Sequence, residues 1–393
     1  MILGTLFVSI AALTSPQAFA WSVEGHQLIT THAVELLPAP WRQFFGYYDW
    51  FLTEAASYPD TYYRSTDSNE GPRHYVDLEI WNPNDRSTGT LPQSVEEFAL
   101  KMQTALEAKD WNSAFLFAGR VAHYVEDDTQ PYHTTVNYNP TNKMGVGLHS
   151  VLDSSIIAHI SEINILQASE IGALTPIDNL TAFVLNMAYD SHSFLPAINR
   201  TLIDEGLDWS PELTRIIENR TNTAIIAVAR VWQTVITRAN AFAPEIRAGN
   251  QLFIITENVT QSDNGLTLIR LRVIDSLGIR TYANVTLTTD KSIFRGQVAN
   301  AIPPIGEYIV VAETGLHPND HLTAQREGYS SATLTIGNTA AHITSLTEPS
   351  SLVTSSLLNP IGSDVPAITI VALVVMFCGI LALVVLRRVP MDN

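Results

Sequence analysis

The sequence holds one cysteine in 393 residues, Cys378. No disulfide can therefore form within the chain, and its stability has to come from core burial or from bound metal. Basic residues are also scarce. Lys and Arg number 22 against 39 Asp and Glu, a formal net charge of −17. That balance excludes a broad cationic surface of the kind that holds nucleic acid. It leaves room for a small cationic pocket, and bound metal would add charge that the count omits. No Lys or Arg precedes the first apolar run, and no internal repeat is visible. What is plentiful is apolar side chain, at 46 % of residues, which excludes global disorder.

The two ends read as targeting segments. Residues 1–20 are apolar and end in Ala18-Phe19-Ala20, a small-x-small pattern that predicts a cleaved leader with Trp21 as the new N-terminus. Residues 366–386 carry no charge and are long enough to span a bilayer. Arg387 and Arg388 follow directly, which predicts a cytoplasmic tail over 387–393. The expected localisation is the cell membrane, single-pass, with the N-terminal part outside. A glycolipid anchor fits less well, because charge follows the apolar run. Asn179, Asn199, Asn219, Asn258 and Asn284 each open an N-x-Ser/Thr sequon, in keeping with an exported glycoprotein.

Between the ends the pattern changes once. Residues 21–243 are mostly helical in pattern. Ser94-x-x-Glu97 predicts a capping box before Phe98–Leu106, and Asn112 predicts a cap for a helix through Phe115 and Tyr124. Further helices are expected near 151–166, 180–189 and 211–237, with long loops over 60–90. Residues 248–338 are rich in Thr, Val and Ile in short alternating runs. They predict a small all-β, Ig-like sandwich, with Asn264-Gly265 as a turn and Asn284 on the polar face of its strand. The bland reading of that region is a spacer or a binding module with an unknown partner. Residues 339–365 read as a stalk. The expected fold class is thus multidomain: an all-α catalytic domain, a small β-sandwich, a stalk and one C-terminal transmembrane helix.

The chemistry-bearing residues cluster before residue 160. His123-x-x-x-Asp127 puts an imidazole and a carboxylate on one helix face, and His149-x-x-x-Asp153 repeats the spacing. His133 lies between the pairs, while Asp60 and His74 lie upstream. One such pair is ordinary on a solvated helix. Two, with a histidine between them, suit a metal that takes nitrogen and oxygen ligands, such as zinc.

On these residues the chain resembles the zinc-dependent phospholipases C and the related fungal zinc nucleases that act on single-stranded nucleic acid. The resemblance is carried by Trp21, the spacing to His26, Asp60, His74, His123-x-x-x-Asp127, His133 and His149-x-x-x-Asp153, and most densely by HYVEDDTQPYHTTVNYN. It covers roughly residues 21–243. It implies an α-helical domain with three zinc ions in a cleft. Asp60, His74, His123 and Asp127 would hold one ion, and His133, His149 and Asp153 a second. Trp21, through its amino nitrogen and carbonyl oxygen, would hold the third with His26 and a bridging Asp127. A free α-amino group has a pKa near about 8, so zinc displaces its proton readily. The resemblance also implies that a water shared by zinc ions, acidified to hydroxide, attacks phosphorus. Asp60 would orient or deprotonate it, and Arg64 would clamp a phosphate oxygen.

The resemblance divides over the substrate. The short Trp21-to-His26 spacing, Asp153 and the nearness of Arg64 to Asp60 resemble the nucleases. Glu24 matches an acidic residue that the phospholipases use near the choline head group, but Thr61 and Gly71 stand where their aromatic contacts would be. The nucleases' disulfides are missing, the chain is acidic, and the contexts of His74 and His133 resemble bacterial phospholipase-type members. The preferred reading is a membrane-tethered, extracellular phosphodiester hydrolase of the phospholipase C type, with phospholipid as substrate. A single-strand nuclease or 3′-nucleotidase, with nucleic acid only as substrate, is the alternative. A non-catalytic surface protein that keeps the zinc fold is the third. His32 reads as structural, Asp77 as support for His74 or a loop cap, and His159, His192, His317, His321 and His342 as ordinary.

Overall fold

The structure, a computed structural model, describes residues 21–204, 209–246, 250–261, 267–289, 292–294, 305–312, 316 and 319–336. The leader, the Asn264-Gly265 turn, His317, His342, the stalk, the expected span and the tail lie outside the described residues.

The N-terminal part is helical. Helix α1 (Val23–Glu35) starts where Ser22 Oγ accepts from Gly25 N at 3.2 Å. Helices α2 (Ala39–Tyr47) and α3 (Asp49–Tyr58) follow, and α3 runs into a π-turn, Pro59–Tyr63, and the short α4 (Arg64–Thr66). A 3₁₀ turn, Gly71–His74, precedes α5 (Leu91–Ala108). The expected capping box is corrected. α5 begins at Leu91 with Pro92 in its first turn, so Ser94 already lies inside it, where its Oγ donates back to Thr90 O at 2.8 Å.

Helix α6 (Trp111–Thr129) is the centre of this region. Asp110, not Asn112, caps it, accepting from Ser113 N at 3.1 Å. Every residue from Ala118 to Thr129 is buried, so its second half has no solvent face. It packs against α3, α5 and α11 (Pro211–Ala239). Between α6 and α11 come a 3₁₀ turn over Pro131–Thr134 and helices α7 (Leu148–Asp153), α8 (Ser155–Ala158), α9 (Leu180–His192) and α10 (Leu195–Asn199). The single helix expected over 151–166 is corrected to the short α7 and α8, which break at Ser154.

Gly119 explains the close approach of α3 and α6. A Cβ there would lie 2.5 Å from Ala55 Cβ and 2.6 Å from the Ala55 carbonyl carbon. With hydrogen instead, α3 comes near enough for Ala56 O to accept from His123 Nδ1 at 2.8 Å.

The second region is built of short strands. β1 (Asn250–Gln251) pairs in parallel with β8 (Tyr329–Ser330). β2 (Phe253–Gln261), β3 (Thr267–Ile274) and β6 (Glu307–Ala312) form an antiparallel sheet in the order β2-β3-β6. β4 (Asn284–Thr289), β5 (Ser292–Phe294), β7 (His321–Gln325) and β9 (Ala332–Thr335) form another in the order β5-β4-β7-β9. Leu271 and Val310 of one sheet share a core with Leu287 and Leu322 of the other. Asn284 is exposed while Val285 and Leu287 are buried, the alternation of a half-buried strand.

The helical and sheet regions are joined through polar contacts. Tyr48 OH donates to Asp275 Oδ2 at 2.6 Å, and Asn112 bridges to Gly278 O and Arg280 N at 2.5 and 2.7 Å. Ile279 and Ile305 enter the apolar core of the helices.

The expected fold class and localisation are therefore corrected. The described residues form a helical N-terminal region and a small sheet region, and none of their helices is long and apolar enough to cross a membrane. The longest, α11, has 29 residues but carries Glu212, Arg215, Glu218, Arg220, Arg230 and Arg238 along its length. The sheet region is not a free-standing sandwich, because part of its apolar surface is completed by the helices. Residues 366–386, on which the expected single-pass span rested, are not among the described ones.

Gly119→Ala is expected to destabilise the protein by about 1–3 kcal/mol, through overpacking against backbone that cannot yield. Urea unfolding followed by circular dichroism measures it, and an unchanged midpoint would contradict the close contact.

Candidate metal centre

Six elements deliver the candidate ligands. α1 supplies His26, the π-turn after α3 supplies Asp60, and the 3₁₀ turn before α5 supplies His74. The last turns of α6 supply His123 and Asp127, the 3₁₀ turn behind it His133, and α7 both His149 and Asp153. A π-turn widens the helix by one residue per turn, and here it turns Asp60 inward. All these side chains are 4 % exposed or less.

They converge. His26 Nε2 lies 3.6 Å from Asp127 Oδ1 and 4.0 Å from Asp60 Oδ2. His123 Nε2 lies 3.4 Å from Asp127 Oδ2 and 3.9 Å from Asp60 Oδ2. His74 Nδ1 lies 2.9 Å from Asp127 Oδ2 and 3.7 Å from Asp60 Oδ1. Ligand atoms of His26, His123 and Asp127 fall within 4.8 Å of one another, and so do those of Asp60, His74 and His123. Beside them His133 Nε2 faces His149 Nε2 at 2.9 Å, and His149 Nε2 lies 3.5 Å from Asp153 Oδ1. Asp127 links the two groups, 3.9 Å from His133 Nδ1. Trp21 is fully buried, its indole N–H donating to Glu126 O and Thr129 Oγ1 at 3.1 and 3.2 Å, and Ser22 N donates to Asp153 O at 3.0 Å. The start of the described chain is thereby tied to the end of α7.

The residues fit a metal on grounds of hydrogen-bond accounting. His123 Nδ1 donates to Ala56 O, His133 Nδ1 to His74 O, and His149 Nδ1 to Tyr138 O. A neutral ring that donates from Nδ1 keeps a bare lone pair on Nε2. The facing Nε2 atoms of His133 and His149 are therefore two acceptors in contact, which repel unless a cation lies between or beside them. His26 Nε2, Asp60 Oδ2, Asp127 Oδ1 and Asp153 Oδ2 are buried without any hydrogen-bond partner. Lone pairs left bare at one place, on nitrogen and oxygen only, are what a zinc ion takes up.

The proton equilibria point the same way. Burial, then the neighbouring His26 and His74, holds His123 well below the usual histidine range. Burial, then His149, does the same for His133, and burial lowers His149 to about 4. These rings are neutral and ready to ligate near pH 7. For His26 and His74 burial also acts downward, but their carboxylate partners outweigh it and raise them. Burial raises Asp127, and lifts Asp153 well above the carboxylate range. Without a cation, protons would have to stand in for it.

Arg64 reaches the centre through Asp60, its Nε donating to Oδ1 at 2.8 Å, while its side chain stays 22 % exposed. Asp77 forms no hydrogen bond with His74. The residue beside that ring is Glu70, whose Oε1 lies 3.5 Å from His74 Nε2, and whose carboxylate also takes Arg120 at 2.6 Å, Arg73 at 3.0 Å and Tyr124. Sequence reading missed Glu70, although Glu70-x-x-x-His74 repeats the four-residue spacing of the His-Asp pairs. It also missed Glu126, which hydrogen-bonds His26 Nδ1 at 2.5 Å. Glu24 is exposed on the first turn of α1. His32 pairs with Glu35, His159 stacks on Trp209, and His192 donates to Thr134 O.

Comparison with known proteins is sparse. No family model matches the chain, and no curated protein matches it. Among solved structures, the chain is similar to the alpha-toxin from Clostridium absonum at 11 % identity and a TM-score of 0.43, over 80 % of this chain and 92 % of that one. It is similar to the alpha-toxin of an avian strain of Clostridium perfringens at 10 % identity and a TM-score of 0.43, over 81 % and 94 %. Likeness at this level carries no argument about chemistry, which rests on the ligand geometry.

Metal removal is the direct check. Chelation is expected to lower the melting temperature, and zinc to restore it, because an ion bound only by the folded chain stabilises it by about 2.7 kcal/mol at a hundredfold excess over Kd. His149→Ala should reduce the zinc retained per chain by elemental analysis. A chain that melts alike with and without chelator would contradict the centre.

Proposed function

We propose that the chain is a zinc-dependent phosphodiester hydrolase of the phospholipase C type, with three zinc ions held by Trp21, His26, Asp60, His74, His123, Asp127, His133, His149 and Asp153. The observation that carries this reading is the set of bare Nε2 and carboxylate lone pairs gathered at one buried place. When bound, zinc acidifies a water and polarises a phosphoryl oxygen.

The chain's own residues do the rest. Asp60 gives one oxygen to Arg64 and keeps Oδ2 free, 3.9–4.0 Å from the Nε2 atoms of His123 and His26. That free oxygen is placed to take a proton from a nucleophile lying at the Nε2 edges of those two stacked rings. Arg64 spends only Nε on Asp60, so the remaining edge of its guanidinium is available to two phosphoryl oxygens. The Nδ1 bonds of His123, His133 and His149 to backbone carbonyls fix each ring's tautomer, so the ligands are oriented before substrate arrives. Asp127 is shared between the two halves of the cluster and sets their separation. The scissile phosphodiester would lie against the cluster with Arg64 at its outer edge.

The second reading, a single-strand nuclease or 3′-nucleotidase, is favoured by the short spacing from Trp21 to His26 and by Asp153. One experiment separates the two. The zinc-loaded chain beginning at Trp21 is incubated in parallel with phosphatidylcholine vesicles, single-stranded DNA and 3′-nucleotides. Release of the phosphorylated head group is the expected result, and DNA cleavage without it would give the second reading. Asp60→Asn is expected to lower turnover by about 10²-fold or more while zinc content is largely kept. Full activity in that variant would remove Asp60 from the proton-accepting role.

A further inference from the structure

Glu126 is an acid buried in the last turns of α6, between His123 and Asp127, and the chemistry above does not use it. It is fully buried, as are His26 and Thr30. Its Oε2 lies 2.5 Å from His26 Nδ1, and its Oε1 accepts from Thr30 Oγ1 at 2.9 Å. Its backbone carbonyl accepts from the Trp21 indole at 3.1 Å. One residue thus touches both chain-start residues proposed as ligands, one through its side chain and the other through its backbone.

We infer that Glu126 is a positioning residue, a buried carboxylate that sets the orientation and donor strength of His26 toward its metal ion. This rests on the metal centre proposed above. The geometry has three parts. The Glu126 bond to Nδ1 fixes the tautomer and leaves Nε2, which has no protein partner, turned toward Asp127 and Asp60. Thr30, one turn along α1 from His26, holds the far oxygen, so the carboxylate cannot rotate away. An acidic side chain behind the ring, where His123, His133 and His149 have neutral carbonyls, makes Nε2 a stronger donor once a bound cation favours its ionised form.

The test uses the zinc-loaded chain beginning at Trp21 and reads metal rather than turnover. Glu126→Gln keeps a hydrogen-bond acceptor for Nδ1 and removes the charge. Thr30→Val keeps the charge and frees the carboxylate. Zinc retained after dialysis against chelators of graded strength, and the visible spectrum after cobalt substitution, are measured for each. Glu126→Gln is expected to weaken the most labile ion by about 10–100-fold and to change the cobalt spectrum, with Thr30→Val between it and the parent. A purely structural role predicts a lower melting temperature with zinc affinity and cobalt spectrum unchanged in both variants, and that result overturns the inference alone. A parent chain that binds no zinc overturns the inference and the metal centre together.

Discussion

Everything in the helical region depends on one electrostatic constraint. Five imidazoles and three carboxylates are held at 4 % exposure or less around the end of α6. An ionised group taken out of water without compensation is among the most destabilising features a fold can carry. Protons could neutralise some of these acids, and one shared by the facing Nε2 atoms of His133 and His149 would relieve their lone pairs, but burial holds both rings below the usual histidine range. Divalent cations meet both demands at once. The fold is arranged so that they can: the second half of α6 is buried on every side, and α1, α7 and the turns over Pro59–Tyr63, Gly71–His74 and Pro131–Thr134 present ligand atoms to its end.

The packing that achieves this is economical in sequence. Gly119 brings α3 against α6, which places Ala56 O on His123 and delivers the π-turn carrying Asp60. Glu126 and Thr129 draw Trp21 and His26 onto the same helix. The Trp232 indole donates to Ala118 O at 3.0 Å and anchors α11 against α6. The sheet region is held by Tyr48 and Asn112, so it stabilises the helices that carry the site without supplying any of the candidate ligands.

Much of the candidate site was legible because metal ligation uses few residue types at helical spacings. His123-x-x-x-Asp127 and His149-x-x-x-Asp153 name a helix face by themselves. Glu70 and Glu126 were not legible, since an isolated acid in a sequence is ordinarily solvated, and only burial gives it a role. Asn112 illustrates the opposite error. It is a good capping residue by type, but Asp110 two positions earlier took the cap and left Asn112 free to tie α6 to the sheet region. Ser94 failed as a cap for a related reason, because Pro92 in the first turn moved the helix start upstream.

What the sequence determined alone is local: the alternation of strands near Val285, the length of α11, and the residue types able to hold zinc, each a consequence of short-range periodicity or side-chain chemistry. Tertiary structure decided which of those residues meet. His26 and Glu126 are 100 residues apart and share a 2.5 Å contact, and His74 reaches Asp127 across 53 residues. Such pairs are set by how α1, α3 and α6 pack, which depends on volumes and close approaches distributed over the whole core and written in no single stretch of chain.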